Sequence, residues 1–433
     1  MKKFTRILIC LVLCVFGIGL IGCGDDRTPE EKAFAYPDAN DLVSGNGGLA
    51  VSKGNYIYFV NGFKEAKSSE RYGSFMHGGV MLAKLSASGE LVVEDDGELE
   101  DDNLIHISNK LAGFEATDLA IFGDYLYFTS VCQEDDAETE LWANDIVDFN
   151  RIKLNKSGGV ERIYQSTSNN QNVEFKYYQE NGSVSLLVYE KDSEELVRIN
   201  TNKDKTIVAS GVKNVYFSEN CNEVFYVLST GNSKAPYKSY KLNAVSGSIS
   251  EFVSHASQPT VKFVENGKVY ILEDDNLNVY DTETKLDEGC AISGVSSYSS
   301  VNVAPNGDAL IAISTEGDGL IFEFYENGVP VTSYQETGSE ATVLGYANGS
   351  VVYIDADKNI KSLSYANQNT TPVTIAKISD INTSYIDVDG SYMYFFKKVG
   401  NNEYLHRLLL DNGAQVEEFV GVYLDADEPA DED

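Results

Sequence analysis

Positive charge, histidine, proline and tryptophan are all scarce in this chain of 433 residues: 33 Lys and Arg stand against 67 Asp and Glu, with four His, eight Pro and one Trp. The formal net charge of −34 excludes nucleic acid and anionic lipid headgroups as partners, because both would be repelled. It leaves cations and basic surfaces as possible ligands, or simply a well-solvated exterior. His77, His106, His255 and His406 are scattered, without the HxH or HExxH spacing that brings two imidazoles to one metal. No GxSxG nucleophile turn and no phosphate-binding P-loop occur. Asp-Asp pairs such as Asp274-Asp275 fall in expected hairpin turns, and 67 carboxylates make such adjacency ordinary rather than a glycosidase pair. Asp355-x-Asp357-x-Asn359 has the opening spacing of a calcium loop, but Ile360 and Ala366 stand where an EF-hand needs Gly and Glu, so a hairpin turn is expected. Cys132, Cys221 and Cys290 are odd in number and widely spaced, which indicates neither a disulfide framework nor a zinc site. No cofactor or metal is expected. Long helical periodicity is missing too, and what remains is rich in Tyr, Phe, Gly and short apolar bursts.

The first 22 residues stand apart. Lys2, Lys3 and Arg6 precede an apolar and glycine run, Ile7 to Ile21, which is too short to span a bilayer comfortably. The run ends in Leu20-Ile21-Gly22-Cys23. These residues resemble a bacterial lipoprotein signal peptide with its lipobox. The resemblance implies cleavage before Cys23, a diacylglyceryl group on its thiol, and anchorage to a membrane outside the cytoplasm. Two acyl chains hold a protein on a bilayer where one gives only marginal, reversible binding. Gly17-Ile18-Gly19-Leu20-Ile21-Gly22 also spells GxGxxG, but in a segment expected to be removed, with no βαβ unit around it. Loss of residues 1–22 removes three positive charges and no negative ones, taking the net charge from −34 to −37.

The rest of the chain repeats. A turn followed by an apolar burst appears at Lys53-Gly54, Phe122-Gly123, Asn181-Gly182, Asn220-Cys221, Asn266-Gly267, Asn306-Gly307, Asn348-Gly349 and Asp389-Gly390. Asn-Gly and Asp-Gly suit two-residue hairpins, whose central positions both need positive φ. Four residues after each anchor stands a large apolar side chain: Tyr58, Tyr127, Leu186, Phe225, Ile271, Ile311, Tyr353 and Tyr394. From Gly182 onward the anchors are 39, 46, 40, 42 and 41 residues apart, one four-stranded blade per repeat. The earlier gaps of 69 and 59 residues are one blade plus an insertion each. The expected fold is therefore all-β, a β-propeller of about eight four-stranded blades over residues 49–423, with seven as the alternative if the weak third repeat is miscounted. The Tyr-rich second strands and third strands ending Leu-Asn or Tyr-Asp resemble the TolB-like propellers of bacterial lipoproteins, a resemblance that implies fold and not activity. Residues 23–48 are expected to form a flexible tether beginning at the lipidated Cys23, and residues 424–433 an acidic disordered tail.

Extra residues at 62–79 and 131–150 are expected between the second and third strands of blades 1 and 2, and those at 94–103 between the two blades. All three would then project from one face. They carry Arg71, Tyr72, Phe75, His77 and Trp142, an aromatic and Arg composition that suits a binding rim. Tolerated decoration is the competing reading. The function expected from these features is a membrane-anchored, extracytoplasmic, non-catalytic binding module for a protein, peptide or glycan. The alternatives are an enzyme processing envelope polysaccharide or peptide in a channel site, and a structural subunit of an envelope complex.

Overall fold

The computed structural model describes residues 35–418, apart from 39, 61–62, 65–77, 87–88, 90–103, 113–118, 133–145, 170–171, 220, 305–308, 317–318, 327, 339, 367–370, 390, 400–401 and 411–415. Eight antiparallel sheets follow one another along the chain, each built from consecutive strands, A to D from the inside of the ring outward. The blades span residues 43–112, 120–169, 173–210, 212–255, 260–293, 300–337, 342–377 and 381–418. Eight blades, not seven, settle the count, and the weak third repeat is a full blade of four strands.

The turns explain why these residues make hairpins. Asn181 and Gly182 have φ of 50° and 77°, and Asn348 and Gly349 have 48° and 73°, as a tight A–B turn demands. The residue four past each anchor is buried in every blade, from Tyr58 to Tyr394. Strand B is sandwiched on both faces. In blade 3, Ser183–Glu190 is buried at every position after the first. Its aromatic anchors also bridge blades, as Tyr58 donates its hydroxyl to the Leu154 carbonyl of blade 2 at 2.9 Å.

Turns A–B and C–D lie at one end of the ring, turns B–C and D–A at the other. The connection of residues 61–77, interrupted by the short strand Phe63–Lys64, and the connection 133–145 each join strand B to strand C, so they leave the ring at the B–C end. The 94–103 stretch does not join blades 1 and 2. Strand Leu104–Ala112 pairs with Gly78–Lys84 as strand D of blade 1, so the connection before it leaves from the A–B end, opposite the other two insertions.

Among the described residues, strands A to D of the first and last blades each come from their own stretch of chain, and only the two-residue strand Phe63–Lys64 crosses from the blade 1 segment into the sheet of blade 8. Closure is made by a cluster joining Tyr58 and Leu82 of blade 1 to Tyr394, Phe396 and Leu405 of blade 8, and by Phe63–Lys64 pairing with Asn402–Leu409. Residues 43–48, whose composition places them in the tether, are hydrogen-bonded into the ring. Val43–Ser44 pairs with Ala50–Lys53 on its channel side. The Asn46 side chain accepts from Ile121 N at 2.7 Å and donates to Ile121 O at 3.3 Å. Gly47 N donates to Leu119 O, Leu119 N to Gly48 O, and Leu49 N to the Asp387 carboxylate of blade 8. One short segment thus ties the inner strands of blades 8, 1 and 2.

Candidate functional site

Cys23, Arg71, Tyr72, Phe75, His77 and Trp142 all lie outside the described residues. Among the described residues, the concave site is a recess of about 870 Å³ toward the A–B end of the central channel. Its walls come from inner strands of blades 2, 3, 4 and 8, through Phe122, Phe175, Lys176, Tyr177, Phe217 and Asp387, and from residues 45–47 of the N-terminal segment. The fold puts these residues together because every strand A runs along the channel. Sequence spacing does not reveal it, since the wall residues come from four repeats.

The recess is amphipathic. Phe122, Phe175 and Phe217 are half-buried and give apolar faces, while Asn46, Gln179, Asn222 and Glu219 bring amides and a carboxylate. The Lys176 side chain is half-buried, and its ammonium forms no ion pair or hydrogen bond among the described residues. Tyr178 is committed to structure, its hydroxyl donating to the Ser218 carbonyl at 3.1 Å, and burial holds its pKa well above the ordinary phenol value. Burial also pushes the Cys221 thiol up, against the lowering effect of Ser218 Oγ at 3.0 Å, so this thiol on the recess wall is not an activated nucleophile. A ligand here would meet aromatic faces, amide groups, the Lys176 ammonium and the Glu219 and Asp387 carboxylates. Among the described lining residues it would meet no base aligned on a nucleophile.

Such an alignment does exist elsewhere, between blades 4 and 5. Ser239 Oγ lies 3.0 Å from His255 Nε2, and His255 Nδ1 lies 3.0 Å from Glu273 Oε2. The order is that of a hydrolytic triad, but Ser239 is fully buried and its hydroxyl is already engaged, accepting from Val253 N and donating to Val253 O at 3.2 Å. Nothing can reach it. The relay is a tie between blades: Glu273, ending strand B of blade 5, also accepts from Ala256 N and Ser257 N beyond strand D of blade 4. Burial raises the Glu273 carboxyl, but the His255 and backbone donors outweigh it and leave its pKa below the usual range.

The same device recurs. Glu190, ending strand B of blade 3 and fully buried, accepts from Tyr164 OH at 2.7 Å, Thr167 N at 3.1 Å and Ser168 N at 2.9 Å in blade 2. Glu336 of blade 6 accepts from Tyr353 OH at 2.8 Å and Lys361 Nζ at 2.9 Å in blade 7. Lys361 also meets Asp355 at 2.8 Å. Burial pulls the Asp355 carboxyl up, yet Lys361 and Asn359 bring it down to about 2. Asp355 Oδ1 accepts from Asp357 N and Asn359 N, both at 2.9 Å, so the Asp-x-Asp-x-Asn run is a hairpin turn. No group of three metal-ligating side chains occurs among the described residues. The sequence shows Glu190 and Glu273 at the ends of second strands and Glu336 in a fourth. Their use as ties is visible only once the neighbouring blade is in place.

No family model matches the chain, and no curated protein matches it in sequence. Solved structures similar to it are propellers at low identity. The computationally designed Ika8 protein is 11% identical with a TM-score of 0.44, covering 73% of this chain and 90% of that one. A eukaryotic initiation factor is 12% identical with a TM-score of 0.43, covering 90% of each chain. TolB from Acinetobacter baumannii is 8% identical with a TM-score of 0.33, covering 84% of this chain and 80% of that one.

Proposed function

We propose that this protein is a lipid-anchored, extracytoplasmic propeller that binds a peptide or glycan segment of an envelope partner without transforming it. The carrying observation is the channel recess of about 870 Å³, a volume that suits a small ligand or one segment of a chain. Half-buried phenylalanines supply stacking or apolar faces, Gln179 and Asn222 supply directional hydrogen bonds, and Lys176 offers a cationic group beside the Glu219 and Asp387 carboxylates, a mixed lining that suits a polar ligand. The raised thiol of Cys221 and the closed Ser239 relay favour binding over catalysis. Anchorage rests on the lipobox at Cys23 and the basic, apolar segment before it.

Soluble protein beginning at residue 24 is applied to peptide and glycan arrays, and the ligands it retains are titrated against Lys176→Glu and Phe175→Ala. A loss of about tenfold or more in affinity, in protein that remains folded by circular dichroism, is the expected result, with some fall in melting temperature for Phe175→Ala because its ring packs on Phe149. Wild-type affinity in both folded variants overturns the recess as the seat. A second reading, the rim at the B–C end, is favoured by the two strand B to strand C insertions falling on adjacent blades 1 and 2. Deletion of residues 65–77, which spares the Phe63–Lys64 pairing, together with Trp142→Ala abolishes binding under that reading and leaves it intact under the first.

A further inference from the structure

We infer that the propeller stands with its A–B end turned toward the bilayer and its B–C end turned outward. The inference rests on the proposed lipid anchor at Cys23. The chain enters the ring from the A–B end: Leu42 O accepts from Gly54 N in the A–B turn of blade 1, and Asp41 lies against that same turn. Tyr36 packs on the core cluster of blade 1. From there the chain passes into the channel through Val43–Ser44, on the inner side of the blade.

Only eleven residues, 24–34, separate Cys23 from residue 35. Fully extended, the chain from Cys23 to residue 35 reaches at most about 40 Å. With the A–B end toward the membrane, only part of that reach is needed. To put the B–C end there, the tether would first cross the four strands of a blade, about 19 Å at 4.8 Å each. It would then descend the side of a sheet whose strands of six to eight residues are roughly 20–26 Å long. The sum equals or exceeds the full reach of the tether, so the inverted stance leaves it taut.

A second observation points the same way. Every exposed large hydrophobic side chain among the described residues lies on the A–B half of the ring. Leu42 is on the entry path, and Ile207, Ile249, Leu286, Val329, Val331 and Val373 lie at or near the starts of strand D in five consecutive blades. These side chains do not form one continuous patch, and the acidic excess opposes anionic headgroups. The lipid chains supply the attachment and the tether supplies the direction. In this stance the channel recess opens toward the membrane, and partners arriving from the outside meet the B–C end first.

Blade 4 offers the test, because the exposed native thiol Cys221 lies at its A–B turn and exposed Ser233 in its B–C connection. Strand B between them, Glu223–Ser229, separates the two sites by about 23 Å. Full-length lipidated protein is reconstituted on phosphatidylcholine vesicles doped with acceptor-labelled lipid, with Cys132→Ser and Cys290→Ser in both samples. A donor dye is placed on Cys221 in one, and on Ser233→Cys with Cys221→Ser in the other. Energy transfer to the bilayer about twofold or more higher from Cys221 is expected. Equal or higher transfer from position 233, in protein that floats with the vesicles, overturns the orientation and leaves the anchor standing. Protein that does not float overturns the anchor and the orientation together.

Discussion

Blades 2 to 7 and the closing arc of blades 8, 1 and 2 share the same four-stranded unit but are held by different means. Along the regular arc, side chains do the tying, at the junctions of blades 2 and 3, 4 and 5, and 6 and 7, through Glu190, Glu273 and Glu336. At closure one chain segment does it, residues 46–49 laid across three inner strands through backbone bonds to Leu119, the Asn46 side chain on Ile121 and the Asp387 carboxylate on Leu49 N. Two of the carboxylate ties start from the end of a strand B, Glu190 and Glu273, and the third, Glu336, from strand D of blade 6. The closing tie is used once, where chain continuity ends.

Replacing Tyr353 by Ala tests the regular arc most severely. Its ring is fully buried and its hydroxyl donates to Glu336, so the variant should lose roughly 3–5 kcal/mol in urea unfolding. A near-neutral result would mean that blades 6 and 7 do not depend on this interface. The matching blow to closure is Gly48→Val, because any side chain at 48 collides with the Asp387 carboxylate that accepts from Leu49 N. A loss of about 3 kcal/mol is expected, with hydrogen exchange rising first in blades 8, 1 and 2. Exchange rising evenly around the ring would erase the distinction between the two regions.

Acid separates them further. Asp355 is lowered from 3.8 to about 2 in the folded state, so its stabilisation is complete above about pH 4 and disappears as pH falls toward 2. Roughly 2 kcal/mol should be lost across that window, and Asp355→Asn should flatten this part of the pH profile. An unchanged slope in the variant would remove Asp355 from the account. The smallest effect is expected from Gly349→Val. The turn needs φ of 73° there, and backbone strain alone should cost about 1 kcal/mol by thermal melting. A stabilised variant would contradict the turn assignment.

Much of the fold was legible because a propeller repeats its instructions. Asn-Gly turns at 182, 267 and 349 mark the hairpins, and the side chain four residues later is buried each time. The placement of 94–103 was not legible, since Leu91 to Val93 and Leu104 to Ile107 are both apolar runs fit for a last strand. Only the ladder from Gly78↔Ala112 to Ala83↔Leu104 decides between them. The Ser239, His255 and Glu273 relay was hidden for a related reason, because its members lie 16 and 18 residues apart on strands of two blades. The recess draws on residues from 45 to 388 and has no local signature at all.

Local chemistry is what the sequence settled alone: which backbone positions accept positive φ, which strands are apolar on both faces, and that a four-stranded unit recurs, with seven or eight copies left for the structure to count. These depend on neighbours a few residues away. Tertiary structure decided how the ring closes, which carboxylates tie blades, at which end each insertion leaves, and where a ligand can sit. Those outcomes depend on groups brought together across hundreds of residues, as Leu49 and Asp387 are, and on burial that turns an ordinary Glu or Asp into a tie between blades.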